Sequence, residues 1–222
     1  MNVVIFGATG MVGRGVLLEC LEDPRVRSVL APVRTPSGIQ HEKLRELVRS
    51  DFFDYSDVRE EFDGLDACFF CLGVSSFRMD EATYTRLTYD LTIAAAEALA
   101  ARNPDMTFCY VSGAGTDSTE QGRVMWARVK GRTENRLLAM PLNAYMFRPG
   151  YIQPMKGVRS KTGWYQAFYT LARPLYPLLQ RIAPDQVTTT DAVGRAMIEV
   201  AANGYRTRIL GPADINALAG MR

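Results

Sequence analysis

The chain has 222 residues, of which 47% are hydrophobic and 23% are charged, and its formal net charge at pH 7 is +2. These proportions are typical of globular proteins and exclude a disordered or collagen-like chain, and the length allows one α/β domain that buries a full sheet between two layers of helices. No basic surface dominates at this net charge, so the sequence does not indicate nucleic-acid binding.

A glycine-rich turn follows the first predicted strand. The apolar run Val3–Phe6 ends at Gly7 and gives way to a helical apolar pattern, which predicts a buried parallel strand running into a helix. In this GxxGxxG spacing Gly7 can adopt a positive φ, Gly10 lets a pyrophosphate approach the backbone, and Gly13 lets the helix pack closely on the strand. The helix also directs free N–H groups at the pyrophosphate. An ordinary strand-to-helix loop is the alternative, but the position directly after the first strand favours a dinucleotide site.

The end of the second predicted strand indicates which dinucleotide is bound. The first helix is predicted over Met11–Leu21 and the second strand over Val26–Val33. A Rossmann fold normally places Asp or Glu at the end of that strand to hold the ribose 2′-hydroxyl of NAD. Here no carboxylate occurs between Asp23 and Glu42, and Arg34 follows the strand directly. We therefore expect NADP(H) to be preferred over NAD(H), because a guanidinium binds a 2′-phosphate well; the alternative is that Arg34 is an exposed loop arginine.

The third predicted strand ends near a candidate adenine site. Leu44–Ser50 fits a strand, although its periodicity also fits a short helix. Asp51 and Phe52 follow at its carboxyl end, where a carboxylate can take the adenine amino group and an apolar ring its face. A role for Asp51 as the N-cap of the next short helix is equally compatible with the sequence.

The fourth predicted strand, Leu65–Leu72, closes on Gly73, whose missing side chain suits a backbone that lies along the cofactor ribose. Cys68 and Cys71 form an apparent C-x-x-C motif in this strand. Residues three apart on a strand lie on opposite faces, so we expect buried thiols rather than a metal or redox pair. The single histidine of the chain excludes a metal site built on histidines and a Ser-His-Asp triad.

A candidate catalytic serine follows the fifth predicted strand. Asp80–Arg102 predicts a long alanine-rich helix, and Met106–Ser112 predicts the strand. Ser112 stands at the carboxyl end of this strand, the edge at which open α/β sheets bind ligands. The alternative is a strand-end hydroxyl that bonds the nearby backbone.

The alternation of predicted strands and helices continues to the end of the chain. Further helices are predicted over Gly122–Met140, Trp164–Ile182 and Thr190–Asn203, with strands over Ala144–Arg148 and Arg208–Leu210 and a closing turn of helix. Strands that alternate with helices require right-handed crossovers and a parallel sheet. We therefore predict an α/β Rossmann-type doubly wound parallel sheet of about seven strands. Residues 1–222 are expected to form one NAD(P)-binding domain, in which residues 151–222 contribute a small helical cap on the substrate side.

Together these residues resemble the short-chain dehydrogenase/reductase superfamily over about residues 1–152. The short length and the Cys-Leu-Gly sequence look like its atypical branch, near the NmrA-like and Tat-interacting-protein-like NADP-binding proteins. The residues that carry the resemblance are Gly7, Gly10, Gly13, Asp51, Cys71, Leu72, Gly73, Ser112, Lys130, Arg148, Pro149 and Gly150. With the neighbours Thr9, Met11, Val12, Arg34 and Phe52, they are the expected cofactor-binding residues.

The resemblance also implies a catalytic set. In the superfamily a Tyr-x-x-x-Lys pair on one helix face carries the chemistry: the lysine binds the nicotinamide ribose and lowers the pKa of the tyrosine, the tyrosine exchanges the proton, and a serine orients the substrate oxygen. Lys130 matches the lysine and Ser112 matches the serine, but Trp126 stands where the tyrosine is expected. An indole N–H cannot act as a general acid near neutral pH, so the usual proton relay cannot run through Trp126.

Several alternatives remain open for these positions. Lys130 also fits an exposed helix lysine, and Trp126 fits either a core aromatic or a ring that stacks on nicotinamide or substrate. Tyr84, Tyr110 and Tyr151 are other phenols that would have to reach the site to replace the tyrosine.

Two functions from different classes follow. The first is an NADP(H)-dependent small-molecule oxidoreductase or epimerase-like enzyme that lacks the usual tyrosine, with Ser112, Lys130 and Trp126 at the catalytic positions. The second is a non-catalytic sensor or assembly protein that binds NADPH.

The expected partners are an unidentified small-molecule substrate and, at most, a second copy of the chain, since monomer and homodimer both fit. A strand begins at Val3 with neither a basic nor a cleavable apolar stretch before it, so we expect a cytoplasmic protein. The longest apolar stretch, residues 164–182, is interrupted by Arg173, Pro174, Pro177 and Gln180, so we expect no membrane span.

Overall fold

The computed structural model describes residues 1–158 and 186–221. Seven parallel strands form the main sheet, and two short parallel strands form a second one. The main sheet contains β1 (Asn2–Phe6), β2 (Ser28–Val33), β3 (Leu44–Val48), β4 (Ala67–Phe70), β5 (Thr107–Val111), β6 (Asn143–Phe147) and β9 (Ile209–Leu210), and the small one contains β7 (Tyr151–Gln153) and β8 (Val187–Thr189). The helices are α1 (Met11–Glu22), α2 (Glu81–Thr85), α3 (Leu91–Ala100), α4 (Met125–Leu138), α5 (Thr190–Asn203) and α6 (Pro212–Leu218).

The strand order in the main sheet is β3-β2-β1-β4-β5-β6-β9. The chain runs outward from β1 to one edge and then returns to β4 on the other side of β1. This reversal opens a crevice at the carboxyl ends of β1 and β4, where doubly wound sheets bind ligands. The prediction of a Rossmann-type parallel sheet of seven strands is confirmed.

The core has two layers, one on each face of the sheet. Along β1, Val3 and Ile5 point into the layer under α1 and α5, whereas Val4 and Phe6 point into the layer under α3 and α4. This alternation is the period of two expected of a strand buried on both faces. Phe6 stacks on Phe70 with ring centroids 5.2 Å apart, which extends the second layer across the sheet.

The predicted elements agree with the structure apart from their ends and three features. The helix predicted over Asp80–Arg102 is interrupted by a π-helical segment, Arg86–Asp90, between α2 and α3. The pairing of β7 with β8 was not predicted, and neither was the 3₁₀ form of the helix at Ser56–Phe62. The helix predicted over Trp164–Ile182 lies outside the described residues.

The prediction that Cys68 and Cys71 lie on opposite faces of the sheet is confirmed. Cys68 lies in the layer under α3 and α4, whereas Cys71 packs against the opposite layer.

None of the helices in the described part of the chain has the length and the apolar character that a membrane span requires.

Helices α1 and α5 pack against each other at two glycines. A Cβ on Gly15 would lie 2.5 Å from the Cβ of Thr190, and a Cβ on Gly194 would lie 2.7 Å from the Cγ of Glu19 and 3.1 Å from the Cα of Val16. Real Cβ atoms do not approach other atoms this closely, so both positions need glycine. Helix α5 is thereby in direct contact with the backbone of α1.

We expect Gly15→Ala to lower the free energy of unfolding by about 1–3 kcal/mol, because the added methyl group forces α1 and α5 apart. This would occur although alanine favours an isolated helix over glycine. Urea denaturation of the two proteins measures the difference. Gly73→Ala is the matched control, because no atom lies within 4 Å of a Cβ there, and its effect should stay within about 0.5 kcal/mol. Equal stabilities of the Gly15 and Gly73 variants would contradict the close packing.

Candidate active site

The glycine turn closes tightly on the end of β4. Gly7 has φ +81°, and a Cβ there would lie 2.7 Å from the backbone nitrogen of Leu72. A Cβ on Gly13 would overlap the carbonyl oxygen of Gly7. The Gly10 N–H donates to that same oxygen at 2.8 Å. The conformational roles inferred for Gly7 and Gly13 are therefore confirmed, because neither position can carry a side chain.

The remaining residues of the turn surround the N-terminus of α1. Thr9, Met11 and Val12 are half-buried, and Gly10 occupies the N-cap position. A Cβ on Gly10 would meet a single described atom within 4 Å, the Gly7 oxygen at 3.2 Å. The turn thus presents unpaired N–H groups of a twelve-residue helix at a point where little side-chain bulk intervenes, which suits an anion.

Two arginines lie beside the loop after β2. Arg34 is exposed and forms no hydrogen bond or ion pair with another described residue. Arg14, on the first turns of α1, is half-buried, and its Nη1 donates to the Ser37 carbonyl oxygen at 3.4 Å. Sequence reasoning missed Arg14; a basic residue directly after the last glycine of the turn was the available signal. Two guanidinium groups therefore border the side of the crevice on which β2 ends.

The loop after β3 is held by contacts among its own residues. Asp51 Oδ1 accepts a hydrogen bond from the Phe53 N–H at 2.7 Å, so its carboxylate closes a local turn. Phe52 is 6% exposed and packs in the layer under α3 and α4. Arg49 binds the Asp51 carbonyl and stacks on Tyr55, with 4.8 Å between the guanidinium carbon and the ring centroid. In this conformation one oxygen of Asp51 is engaged and the Phe52 ring lies in the core.

Ser112 and Lys130 are brought together at the end of β5. Lys130 Nζ donates a hydrogen bond to the Ser112 carbonyl oxygen. The Ser112 hydroxyl donates to the Phe147 carbonyl oxygen at 3.1 Å, so its lone pairs remain able to accept. Gly131 lets the loop after β5 approach α4, since a Cβ there would overlap the Asp117 carbonyl oxygen. Lys130 is half-buried and bonded, which rules out the alternative of an ordinary exposed helix lysine.

Trp126 lies one helical turn before Lys130 and covers the same loop. Its ring carbon Cη2 lies 3.5 Å from the position that a Cβ on Gly115 would take, and Gly115 has φ +85°. The indole is half-buried. Residues four apart on a helix share a face, so the indole ring occupies the helical position next to Lys130.

The other phenols have different surroundings. Tyr110 is 1% exposed and Tyr84 is 2% exposed, and burial raises the pKa of Tyr110 above its usual range. The Tyr151 hydroxyl donates to Gln153 Oε1 at 2.9 Å. Tyr84 and Tyr110 are therefore enclosed in the protein interior.

An ion pair lies behind Lys130. Glu134 is 0% exposed, and Arg148 Nε lies 3.1 and 3.2 Å from its two carboxylate oxygens. Arg148 Nη2 also donates to Ser118 Oγ at 2.5 Å. Burial lowers the pKa of Lys130 to about 8, and the negative charge of Glu134 partly opposes this effect. Sequence reasoning missed Glu134, although its position one turn after Lys130 on the same helix face was a usable signal.

The Arg-Pro-Gly segment after β6 makes contacts within the protein. The guanidinium of Arg148 is engaged by Glu134, and the Pro149 carbonyl oxygen accepts from the Ala114 N–H at 2.8 Å. A Cβ on Gly150 would overlap the Gln186 carbonyl oxygen, so glycine allows this close approach. In the described conformation the segment holds the β5 loop and the start of β8 at the same edge of the sheet.

Comparison with known proteins agrees with this geometry. Residues 7–162 match the sequence profile of a family described as NAD(P)H-binding. Gre2 of Candida albicans, solved in complex with NADPH, is similar in fold with a TM-score of 0.66 and 12% identity; the match covers 95% of this chain and 78% of that one. MoeE5, solved with UDP-glucose and NAD, has a TM-score of 0.66 and 14% identity over 99% of this chain and 81% of its own. A short chain dehydrogenase family protein of Francisella tularensis has a TM-score of 0.64 and 12% identity, with 91% of each chain covered.

We expect Glu134→Gln to lower the free energy of unfolding by about 3–5 kcal/mol, because it leaves the Arg148 charge without its buried partner. Chemical denaturation at pH 7 measures the loss. Glu97→Gln is the matched control, because Glu97 pairs with Arg136 on the surface and such pairs contribute less than about 1 kcal/mol. If the free energy of unfolding fell by the same small amount in both variants, the Glu134–Arg148 pair would contribute no more to stability than a surface pair.

Proposed function

Because the chain belongs to the NAD(P)H-binding family, we propose that it is an atypical short-chain dehydrogenase/reductase that binds NADP(H) and acts as a small-molecule oxidoreductase or epimerase-like enzyme. The observation that carries the proposal is the Lys130–Ser112 contact, which lies at the same sheet edge as the glycine turn. An anion-binding helix end and a lysine next to a serine are the groups that a nicotinamide dinucleotide and a substrate oxygen require.

Each part of the crevice has a proposed partner. The turn from Gly7 to Gly13 would hold the diphosphate, and the arginines Arg34 and Arg14 would hold a 2′-phosphate. Lys130 would bind the nicotinamide ribose, and the lone pairs of the Ser112 hydroxyl would orient a substrate hydroxyl. The dinucleotide would supply the hydride. The preference for NADP is supported by the guanidinium of Arg34, which no described residue binds, and by the absence of a carboxylate between positions 23 and 42.

The adenine end of the dinucleotide would lie at the loop after β3. Asp51 retains one carboxylate oxygen for the adenine amino group while the other closes the local turn. The face of adenine would need a neighbour other than Phe52 unless the loop rearranges, because that ring is buried. We further propose that residues 151–222 shape the substrate side, because the β7–β8 pair begins directly after Gly150 at the edge of the crevice.

A second function is favoured by a specific observation. Trp126 occupies the helical position next to Lys130, and Tyr84 and Tyr110 are enclosed in the core. A protein with these features would bind NADPH without fast turnover and would report the NADPH level as a sensor or assembly partner.

Arg34→Gln tests the choice of dinucleotide. We expect the dissociation constant for NADPH to rise by about tenfold to a hundredfold and that for NADH to stay constant, because a charge-assisted bond to the 2′-phosphate is lost. Fluorescence titration of purified protein with each nucleotide measures both constants. Arg27→Gln is the matched control, because it removes the same charge at the opposite end of β2. Tighter binding of NADH than NADPH by the wild type would contradict the NADP preference.

Trp126→Tyr separates the enzyme from the sensor. We expect it to raise NADPH-dependent reduction of a panel of aldehydes, ketones and quinones by about 10²-fold or more, because a phenol beside Lys130 restores a general acid. Trp126→Phe is the control that removes the indole without supplying a phenol. Wild-type turnover above that of the tyrosine variant would contradict the proton-relay argument. If all three proteins bind NADPH and none turns over, the sensor function is favoured.

A further inference from the structure

Lys130 lies in a setting that leaves its charge weakly compensated. Its ammonium group donates to the Ser112 carbonyl oxygen, a neutral partner. Within the described ranges no carboxylate oxygen lies at ion-pair distance from Nζ. A half-buried ammonium with one neutral acceptor loses its proton more readily than an exposed one.

Glu134 would be the natural partner of Lys130, but Arg148 binds it instead. Glu134 is one turn further along α4, on the same face as Lys130. Both of its oxygens are engaged by Arg148, whose other contact is Ser118 Oγ at 2.5 Å. The planar guanidinium suits this two-point binding, whereas the single nitrogen of a lysine does not.

The other titratable groups described near Lys130 and Glu134 are buried and neutral or are already hydrogen-bonded. Tyr110 on β5 and Tyr84 on α2 are buried phenols, and burial keeps Tyr110 neutral by raising its pKa. The Asp117 carboxylate, on the loop that packs against α4, is bound by the Thr119 hydroxyl at 2.6 Å and by the Gly122 N–H at 2.6 Å. The charge state of Lys130 therefore depends on its burial and on the charge of Glu134, which Arg148 binds.

We propose that Arg148 is a positioning residue that withholds Glu134 from Lys130, and that Lys130 in consequence supplies the proton that Trp126 cannot supply. This inference rests on the proposed reductase function. In the reduction the substrate carbonyl carbon accepts a hydride from the reduced nicotinamide, and the carbonyl oxygen takes a proton from Lys130 Nζ. The substrate becomes an alcohol, the nicotinamide is oxidised, and the neutral amine recovers a proton from water.

Titration of Lys130 tests the positioning role without a substrate. The chain has four lysines, so protein labelled with ¹³C at lysine Cε gives four signals, and Lys130→Arg identifies the one that matters. We expect the wild-type signal to titrate with a midpoint near pH 8. Arg148→Gln should raise this midpoint by about one to three pH units, because the freed Glu134 carboxylate then stabilises the ammonium form.

Three further variants complete the titration. Arg148→Lys should give a smaller shift, because an ammonium occupies only part of the carboxylate. The double variant Glu134→Gln with Arg148→Gln should give no upward shift and serves where the single variant folds poorly. Arg136→Gln removes a surface charge from the same helix and should leave the midpoint unchanged. An unchanged midpoint in Arg148→Gln, or an equal rise in the double variant, would overturn the positioning role.

The proton-donor role is tested with NADPH and 9,10-phenanthrenequinone. We expect wild-type reduction to decline as pH rises through about 8, where Lys130 loses its proton, and the decline to move to higher pH in Arg148→Gln. Lys130→Arg keeps a positive charge but cannot release its proton, so it should lose about a hundredfold in rate.

Two outcomes would overturn the donor role: a Lys130→Arg variant as fast as the wild type, or a wild type that does not reduce the quinone. Fluorescence titration with NADPH on the same samples reports cofactor binding separately. If the protein binds NADPH but fails these tests, the donor role of Lys130 is contradicted, whereas nucleotide binding is not. Failure to bind either nucleotide would overturn the proposed function itself.

Discussion

Helix α1 begins against the end of β1 because Gly13 places no side chain between them. The Gly7 carbonyl oxygen occupies the space that a Cβ on Gly13 would need, and it accepts the Gly10 N–H. Gly7 in turn lies against the backbone of Leu72 at the end of β4. This contact sets where the helix N-terminus points, so the direction of its free N–H groups depends on three glycines whose contacts are all with backbone.

The second half of the crevice depends on contacts of the same kind between α4 and the loop after β5. Gly131 admits the Asp117 carbonyl, Trp126 covers Gly115, and Lys130 binds the Ser112 carbonyl. Arg148 then joins α4 to the end of β6 through Glu134. Lys130, Glu134 and Arg148 are thus held by a buried network rather than by exposed loops. Buried networks of this kind hold side chains in one arrangement only when every polar group has a partner.

The sequence predicted the elements well where local signals were strong. The helix Thr190–Asn203 is correct at both ends, and the Thr189 side chain caps it by accepting from the Ala192 N–H at 3.2 Å. The π-helical segment at Arg86–Asp90 could not be predicted, because no glycine or proline marks it. Strand ends differ by one or two residues, as expected where hydrophobic patterns extend past the hydrogen-bonded ladder.

The candidate site was only partly accessible to sequence reasoning. The glycines could be assigned from physical arguments, whereas the approach of Lys130 to Ser112 rested on a family resemblance and was then seen in the structure. The contact of Arg148 with Glu134 joins residues 14 apart on different elements, and no local pattern encodes it. Interactions fixed by tertiary packing are the ones that a single sequence leaves undetermined.

The close packing of α5 on α1 also has a consequence for synthesis of the chain. The apolar face of α1, formed early in translation, meets its cover only when residues 190–203 have been made. Until the ribosome releases this distal segment, the nascent first helix carries exposed hydrophobic surface, a condition that favours association with chaperones. The glycine turn at the start of α1 is therefore made early, but its helix gains its packing partner only after residues 190–203 have been made.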